Sequence, residues 1–199
     1  MEFYRAENAD DFIAKVNELL IKALSSQDKI YLPAGKTPIA LYENWEAMRP
    51  EFLNEKALIQ IDELHGQDPI FKPFFEEHLP SYVEQFEWIN EQATQAGVAL
   101  LGLGLNGHVG FHEPHMPNDF AFGKVDLDEK TCDTLDVEYP AQGITYGVGS
   151  FAKCETVIIV IQGAHKKSVL EQLKNEDQKI PASAFYSHAN CHVVYDVGE

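Results

Sequence analysis

The sequence predicts the α/β class, with a mainly parallel sheet flanked by helices. Short apolar runs that suit buried strands recur at 29–32, 57–61, 98–103, 156–161 and 191–195. Segments with helical spacing lie between them, the alternation that βαβ crossovers produce. A glycine-rich stretch also follows the run at 98–103, the end of a strand at which open α/β sheets hold ligands.

The elements follow in order. Residues 9–24 set Phe12, Ile13, Val16, Leu19, Leu20 and Leu24 at helical spacing, with Ile21 flanking the stripe and Asn8 or Asp10 available as cap. A strand at 29–32 leads into a helix over 37–48, and a second strand occupies 57–61. Residues 82–95 and 164–174 read as helices around the strands at 98–103 and 156–161, and 191–195 closes the series. The stretch 114–146 is rich in Pro, Asp and Gly, and is expected to form loops with a short hairpin around Phe120–Leu127. No linker or repeat divides the chain, so 1–199 is expected to be a single domain of Rossmann-like type.

Composition narrows the function. A formal charge of −17 with only 15 Lys and Arg argues against a nucleic-acid partner. The sequence has neither a signal-like start nor an apolar run long enough to span a membrane, which predicts a cytoplasmic protein without a membrane partner. Cys132, Cys154 and Cys191 are odd in number and widely spaced, as expected of reduced, buried thiols.

Three segments carry chemistry. LPAGKTP at 32–38 reads as a strand-to-helix turn whose free amides and helix dipole can hold a phosphate, with Thr37 and Lys36 adding donors. QIDELHG at 60–66 puts Asp62 and Glu63 at the end of a strand, where period-two geometry sends them to opposite sides. LGLGLNGHVGFHEP at 101–114 brings glycines at 102, 104, 107 and 110 together with His108, a group that exchanges protons near neutral pH, and Glu113. His108, His112, Glu113 and His115 are dense enough to suggest zinc. Pro114 and the glycines nevertheless preclude the regular helix that would converge them, so no metal is expected.

Taken in this order, and extended by YGVGSF at 146–151 and QGAHKK at 162–167, these motifs resemble the glucosamine-6-phosphate deaminase/isomerase family. Its relatives include galactosamine-6-phosphate isomerases and 6-phosphogluconolactonases. The ending GHVGFHEP is similar to the amino-sugar branch. The resemblance implies a cofactor-independent enzyme that converts glucosamine 6-phosphate or galactosamine 6-phosphate to a ketose 6-phosphate and ammonia. By the same resemblance, Asp62 shuttles a proton between C2 and C1, and His108 with Glu113 opens the sugar ring. The loop of Ala34, Gly35, Lys36 and Thr37 binds phosphate together with Lys166, while amides around Gly107 bind sugar oxygens.

The chain departs from the family in several places. Asn106 stands where the deaminases have an aspartate, and remains able to accept a hydrogen bond from the imidazole. No arginine occurs at 131–146, where the family has a phosphate contact, and the chain is short between Asp62 and Gly102 and at its carboxyl end. A lactonase-type hydrolase and a non-catalytic sugar-phosphate binder are the alternatives. The resemblance implies a phosphorylated amino sugar as the partner, with homo-oligomerisation left open.

Overall fold

A computed structural model describes residues 1–198. The chain begins with a strand absent from the sequence reading, β1 (Glu2–Arg5), and continues into α1 (Ala9–Leu24), where Asn8 Oδ1 accepts from the Asp11 amide at 3.0 Å. Next come β2 (Lys29–Leu32), α2 (Ile39–Met48), β3 (Ala57–Gln60), β4 (Asp62–His65) and α3 (Phe71–His78). The middle of the chain holds β5 (Phe86–Glu87), β6 (Val98–Gly102), β7 (Phe122–Asp126), α4 (Glu129–Leu135) and β8 (Gln142–Tyr146). The last elements are α5 (Val148–Phe151), β9 (Thr156–Gln162), α6 (Lys167–Lys174) and β10 (Cys191–Asp196).

Seven strands form one sheet in the order β1-β10-β9-β6-β2-β3-β5, every pair parallel. Alternation along each strand splits the core between two faces. Ile30, Leu32, Leu58 and Val98 pack with Phe12, Val16, Leu41 and Trp45 of α1 and α2. Tyr31, Ile59, Ala99 and Leu101 pack on the other side with Phe151 of α5 and Val169, Leu170 and Leu173 of α6. From β2 the chain winds outward to β3 and β5, then returns across β2 to β6 and winds the other way. The crevice at the carboxyl ends of β2 and β6 is therefore the topological switch point, where such sheets bind ligands.

Two sequence expectations are corrected. Residues 82–95 are not a helix: Pro80–Gln85 is a 3-10 turn, followed by β5 and an irregular segment. Phe86 and Trp88 stack at 4.6 Å with their planes 8° apart, an i, i+2 relation that belongs to a strand, and edge pairing with β3 outweighs the helical pattern. The apolar residues around Phe120–Leu127 do form β7, but its partner is the distant β8, so no local hairpin exists. β4, β8 and β7 make a second, antiparallel sheet, with its own small core of Leu64, Phe111, Leu127, Cys132 and Ala141.

Candidate active site

The phosphate-loop residues lie at the carboxyl end of β2. Tyr42 donates from its hydroxyl to the Pro33 carbonyl at 2.7 Å, which pins the loop to α2 from within. Gly35 has φ +103°, a conformation that favours glycine, and turns the chain so that Lys36 is exposed while Ala34 and Thr37 are half-buried. No side chain caps the start of α2, and the amides of Gly35 to Thr37 find no acceptor among the described residues. They stand ready for an anion beside a helix amino terminus.

Asp62 and Glu63 lie where the chain passes from the large sheet to the small one. Ile61 is the joint: its amide donates to Leu32 of β2, and its carbonyl accepts from Tyr146 of β8. The two carboxylates then divide. Glu63 accepts the amides of Leu64, Ile70, Phe71 and Lys72 at the start of α3, and the Gln60 side chain braces it at 3.0 Å, so it serves the fold. Asp62 is buried and its carboxylate accepts no hydrogen bond from the described residues. Burial, with the neighbouring Glu63 charge adding to it, pushes its carboxyl up to about 8.

The loop after β6 carries the second acid–base group. It is fastened to the small sheet and α5: Phe111 donates its amide to Thr145 Oγ1 at 3.1 Å, and Val148 donates its amide to His112 Nδ1 at 3.2 Å. The His108 ring lies so close over Gly104 that a Cβ there would fall 2.3 Å from Nε2. His108 Nδ1 stands 3.6 Å from Glu113 Oε1, outside hydrogen-bond length, and the carboxylate's charge favours the tautomer with its proton on Nδ1 and Nε2 as the basic atom. Burial lowers the His108 pKa, with Glu113 opposing that shift and Lys166 and Lys130 adding to it.

Glu113 is only 2% exposed, and Asn106 Nδ2 donates to its Oε2 at 2.7 Å. Asn106 Oδ1 accepts the His108 amide at 3.2 Å, so Asn106 does not take a bond from the imidazole as the sequence reading allowed. It braces the loop and the carboxylate instead. The Gly107 carbonyl accepts from Ala182 at 3.3 Å, tying this turn to the segment before β10. Lys166, on a 3-10 turn after β9, donates from Nζ to the Leu103 carbonyl at the base of the same loop, and burial lowers its pKa.

Every residue singled out from the sequence thus lies at the carboxyl ends of β2, β3, β6 and β9. The sequence reading placed Gln60 in its motif without giving it a role, and it missed Thr131, whose hydroxyl donates to Glu113 Oε1 at 2.7 Å. Thr131 lies in the illegible stretch 114–146, and nothing in the local pattern marks it. Among the described residues, no group of three or more His, Cys, Asp or Glu is arranged to hold a metal ion, and His112 turns away from His108 to the Val148 amide.

A doubly wound α/β protein with an anion-ready loop, a buried acid and a His–Glu pair at its switch point belongs to the class that handles small phosphorylated metabolites. The family model for glucosamine-6-phosphate isomerases/6-phosphogluconolactonase matches residues 43–194, and the chain belongs to that family. A glucosamine-6-phosphate deaminase of Leuconostoc citreum is 28% identical over 228 aligned residues, covering 98% of this chain and 97% of that protein. The one from Oceanobacillus iheyensis is 27% identical over 236, covering 98% and 94%.

These alignments are longer than this 199-residue chain, so much of the relatives' extra length falls in internal gaps. Among solved structures, a monomeric glucosamine-6-phosphate deaminase superposes with a TM-score of 0.83 at 18% identity, over 98% of this chain and 97% of that one. The 6-phosphogluconolactonase of Thermotoga maritima gives 0.74 at 18% identity, over 100% and 99%. Both share the fold.

Proposed function

We propose that the protein is an amino-sugar phosphate deaminase that turns a 2-amino-2-deoxyhexose 6-phosphate and water into a ketose 6-phosphate and ammonia. The observation that carries this reading is Asp62, a buried carboxyl raised to about 8 at the same end of the sheet as the His108–Glu113 pair. Hydrolysis of a lactone requires no proton exchange at carbon, whereas aldose–ketose isomerisation needs one strong base that gives its proton back. A carboxyl that resists ionisation becomes such a base once ionised, and the ammonium on C2 of an amino sugar supplies the charge that favours ionisation.

The steps follow from the placement. The amides of 35–37 and Lys166 hold the phosphate, so Lys166 exchanges the Leu103 carbonyl for the anion. His108 Nε2 takes the O1 proton and passes it to the ring oxygen, which opens the ring, while Glu113 stabilises the transient imidazolium. Asp62 removes the C2 proton while the C2 ammonium gives one proton to the aldehyde oxygen O1, which forms an enolamine; the proton held by Asp62 then returns at C1 and leaves an iminium at C2. Water adds to that carbon and ammonia departs. Asn106 carries no charge, so Glu113 alone supplies the negative charge beside the imidazole.

Glucosamine 6-phosphate is the first substrate of this reading, because the curated relatives are named for it, and the galacto epimer is the second. Three buried, unpaired cysteines suit a reducing compartment and support a cytoplasmic setting. The test is incubation with each epimer in deuterated water, following ammonia release and deuterium uptake by NMR. Ketose 6-phosphate and ammonia are expected, with deuterium at C1 to the extent that the proton on Asp62 exchanges with solvent before it returns. Hydrolysis of 6-phosphogluconolactone with neither signal would overturn the proposal in favour of the lactonase.

A further inference from the structure

Glu113 is held from two directions. Asn106 Nδ2, within its own loop, donates to Oε2 at 2.7 Å, and Thr131 Oγ1, from the first turn of α4, donates to Oε1 at 2.7 Å. His108 Nδ1 faces the same Oε1 at 3.6 Å, beyond hydrogen-bond range, and this buried nitrogen has no other partner among the described residues. A carboxylate oxygen has two lone pairs. Thr131 uses one, and the geometry leaves the other facing the orphaned imidazole N–H.

Helix α4 does not belong to the large sheet. It is anchored through Cys132, fully buried against Leu64, Phe111, Leu127 and Ala141 in the core of the β4-β8-β7 sheet. The Thr131 hydroxyl is therefore a direct polar contact from that second unit to the acid–base pair. An inward shift of about 0.7 Å that carried Glu113 along would bring the His108–Glu113 contact to normal hydrogen-bond length.

We propose that Thr131 is a positioning residue, whose hydroxyl fixes Glu113 from α4 so that Oε1 is presented to His108 Nδ1 and the placement of the small sheet is transmitted to the imidazole. This rests on the assignment of His108 and Glu113 to ring opening. The hydroxyl also shares the carboxylate's charge. Without it, Oε1 attracts the imidazole proton more strongly and favours imidazolium, the form unable to take the O1 proton. The charged groups acting on His108 are Glu113, Lys166 and Lys130, and the Thr131 substitutions below keep all three.

The experiment compares Thr131→Val and Thr131→Ser, with Thr131→Ala in reserve should the valine variant fail to fold. It measures kcat and KM for glucosamine 6-phosphate and the NMR titration of the His108 ring. Thr131→Val is expected to lose about ten-fold in kcat with KM nearly unchanged, and to titrate His108 at higher pH than wild type. Thr131→Ser restores both. The inference is overturned if the valine variant matches wild type, or if it loses activity with the His108 titration unmoved and serine gives no rescue. His108→Gln separates this inference from the assignment beneath it. Full turnover in that variant removes the ring-opening role itself, whereas an inactive His108→Gln beside an unaffected Thr131→Val removes only the role of Thr131.

Discussion

Asp62→Asn should abolish turnover and also stabilise the fold in alkaline solution. The Asp62 carboxyl titrates at 3.8 in an ordinary setting and at about 8 in this fold. Between those values the native state binds a proton that the unfolded chain has released, so stability falls as pH rises from 4 to 8. Full expression of that difference corresponds to roughly 6 kcal/mol, at about 1.4 kcal/mol per unit. The amide pays its own desolvation cost at the same buried site, and water enters from the cleft, which leaves a gain of about 2 kcal/mol at pH 8. Urea unfolding of wild type and Asp62→Asn at pH 5, 7 and 8.5 measures it. The curves should lie close together at pH 5 and separate as pH rises, with the variant the more stable. Parallel curves, or a gap largest at pH 5, would refute the burial argument and with it the strongly basic carboxylate that the mechanism needs.

Two further outcomes test the division of labour in the site. Glu63→Gln removes the charge that gathers three amides at the start of α3 and the Leu64 amide of β4, so it should cost about 2 kcal/mol by thermal or urea unfolding while turnover per folded molecule stays near wild type; a thousand-fold loss of kcat in a folded variant would move Glu63 into the chemistry. The free His108 ring should titrate below its ordinary 6.5, because burial outweighs the pull of Glu113, and stay neutral through the pH range in which Asp62 ionises. An NMR midpoint above 7 would contradict that balance.

The large sheet was legible because each of its main strands buries both faces and reads as an unbroken apolar run, as in VALLG at 98–102 and TVIIVIQ at 156–162. The small sheet was not. Its strand β7 has five residues, FGKVD, none of them buried, so the hydrophobic pattern has nothing to register. The sequence reading ended this strand at Ile61, yet LIQIDELH stays extended beyond it, pairing parallel with β2 up to Gln60 and antiparallel with β8 from Asp62. No periodicity signals that change of partner, since both halves keep period two. The same segment nonetheless foretold that Asp62 and Glu63 would face different surroundings, because alternation survives the change of sheet. Thr131 was hidden for a simpler reason: a threonine in the first turn of a short helix is ordinary locally, and only the fold brings it to Glu113.

On the proposed reading, a chain with a net charge of −17 holds a phosphate because of where its charges and dipoles sit. Exposed carboxylates act through water and salt, and their repulsion fades within about 10 Å. The open amides of 35–37 and the half-buried Lys166 act at contact distance, where fixed donors dominate. The lowered pKa of Lys166 records the cost of partial burial, and its bond to the Leu103 carbonyl offsets part of that cost until an anion replaces it. Asp62 depends on the same exchange. On the proposed reading, an amino sugar brings a phosphate for Lys166 and an ammonium for Asp62, so each of these buried groups meets its counter-charge on one ligand. A lactone phosphate, whose ring carries no cation, satisfies only the first.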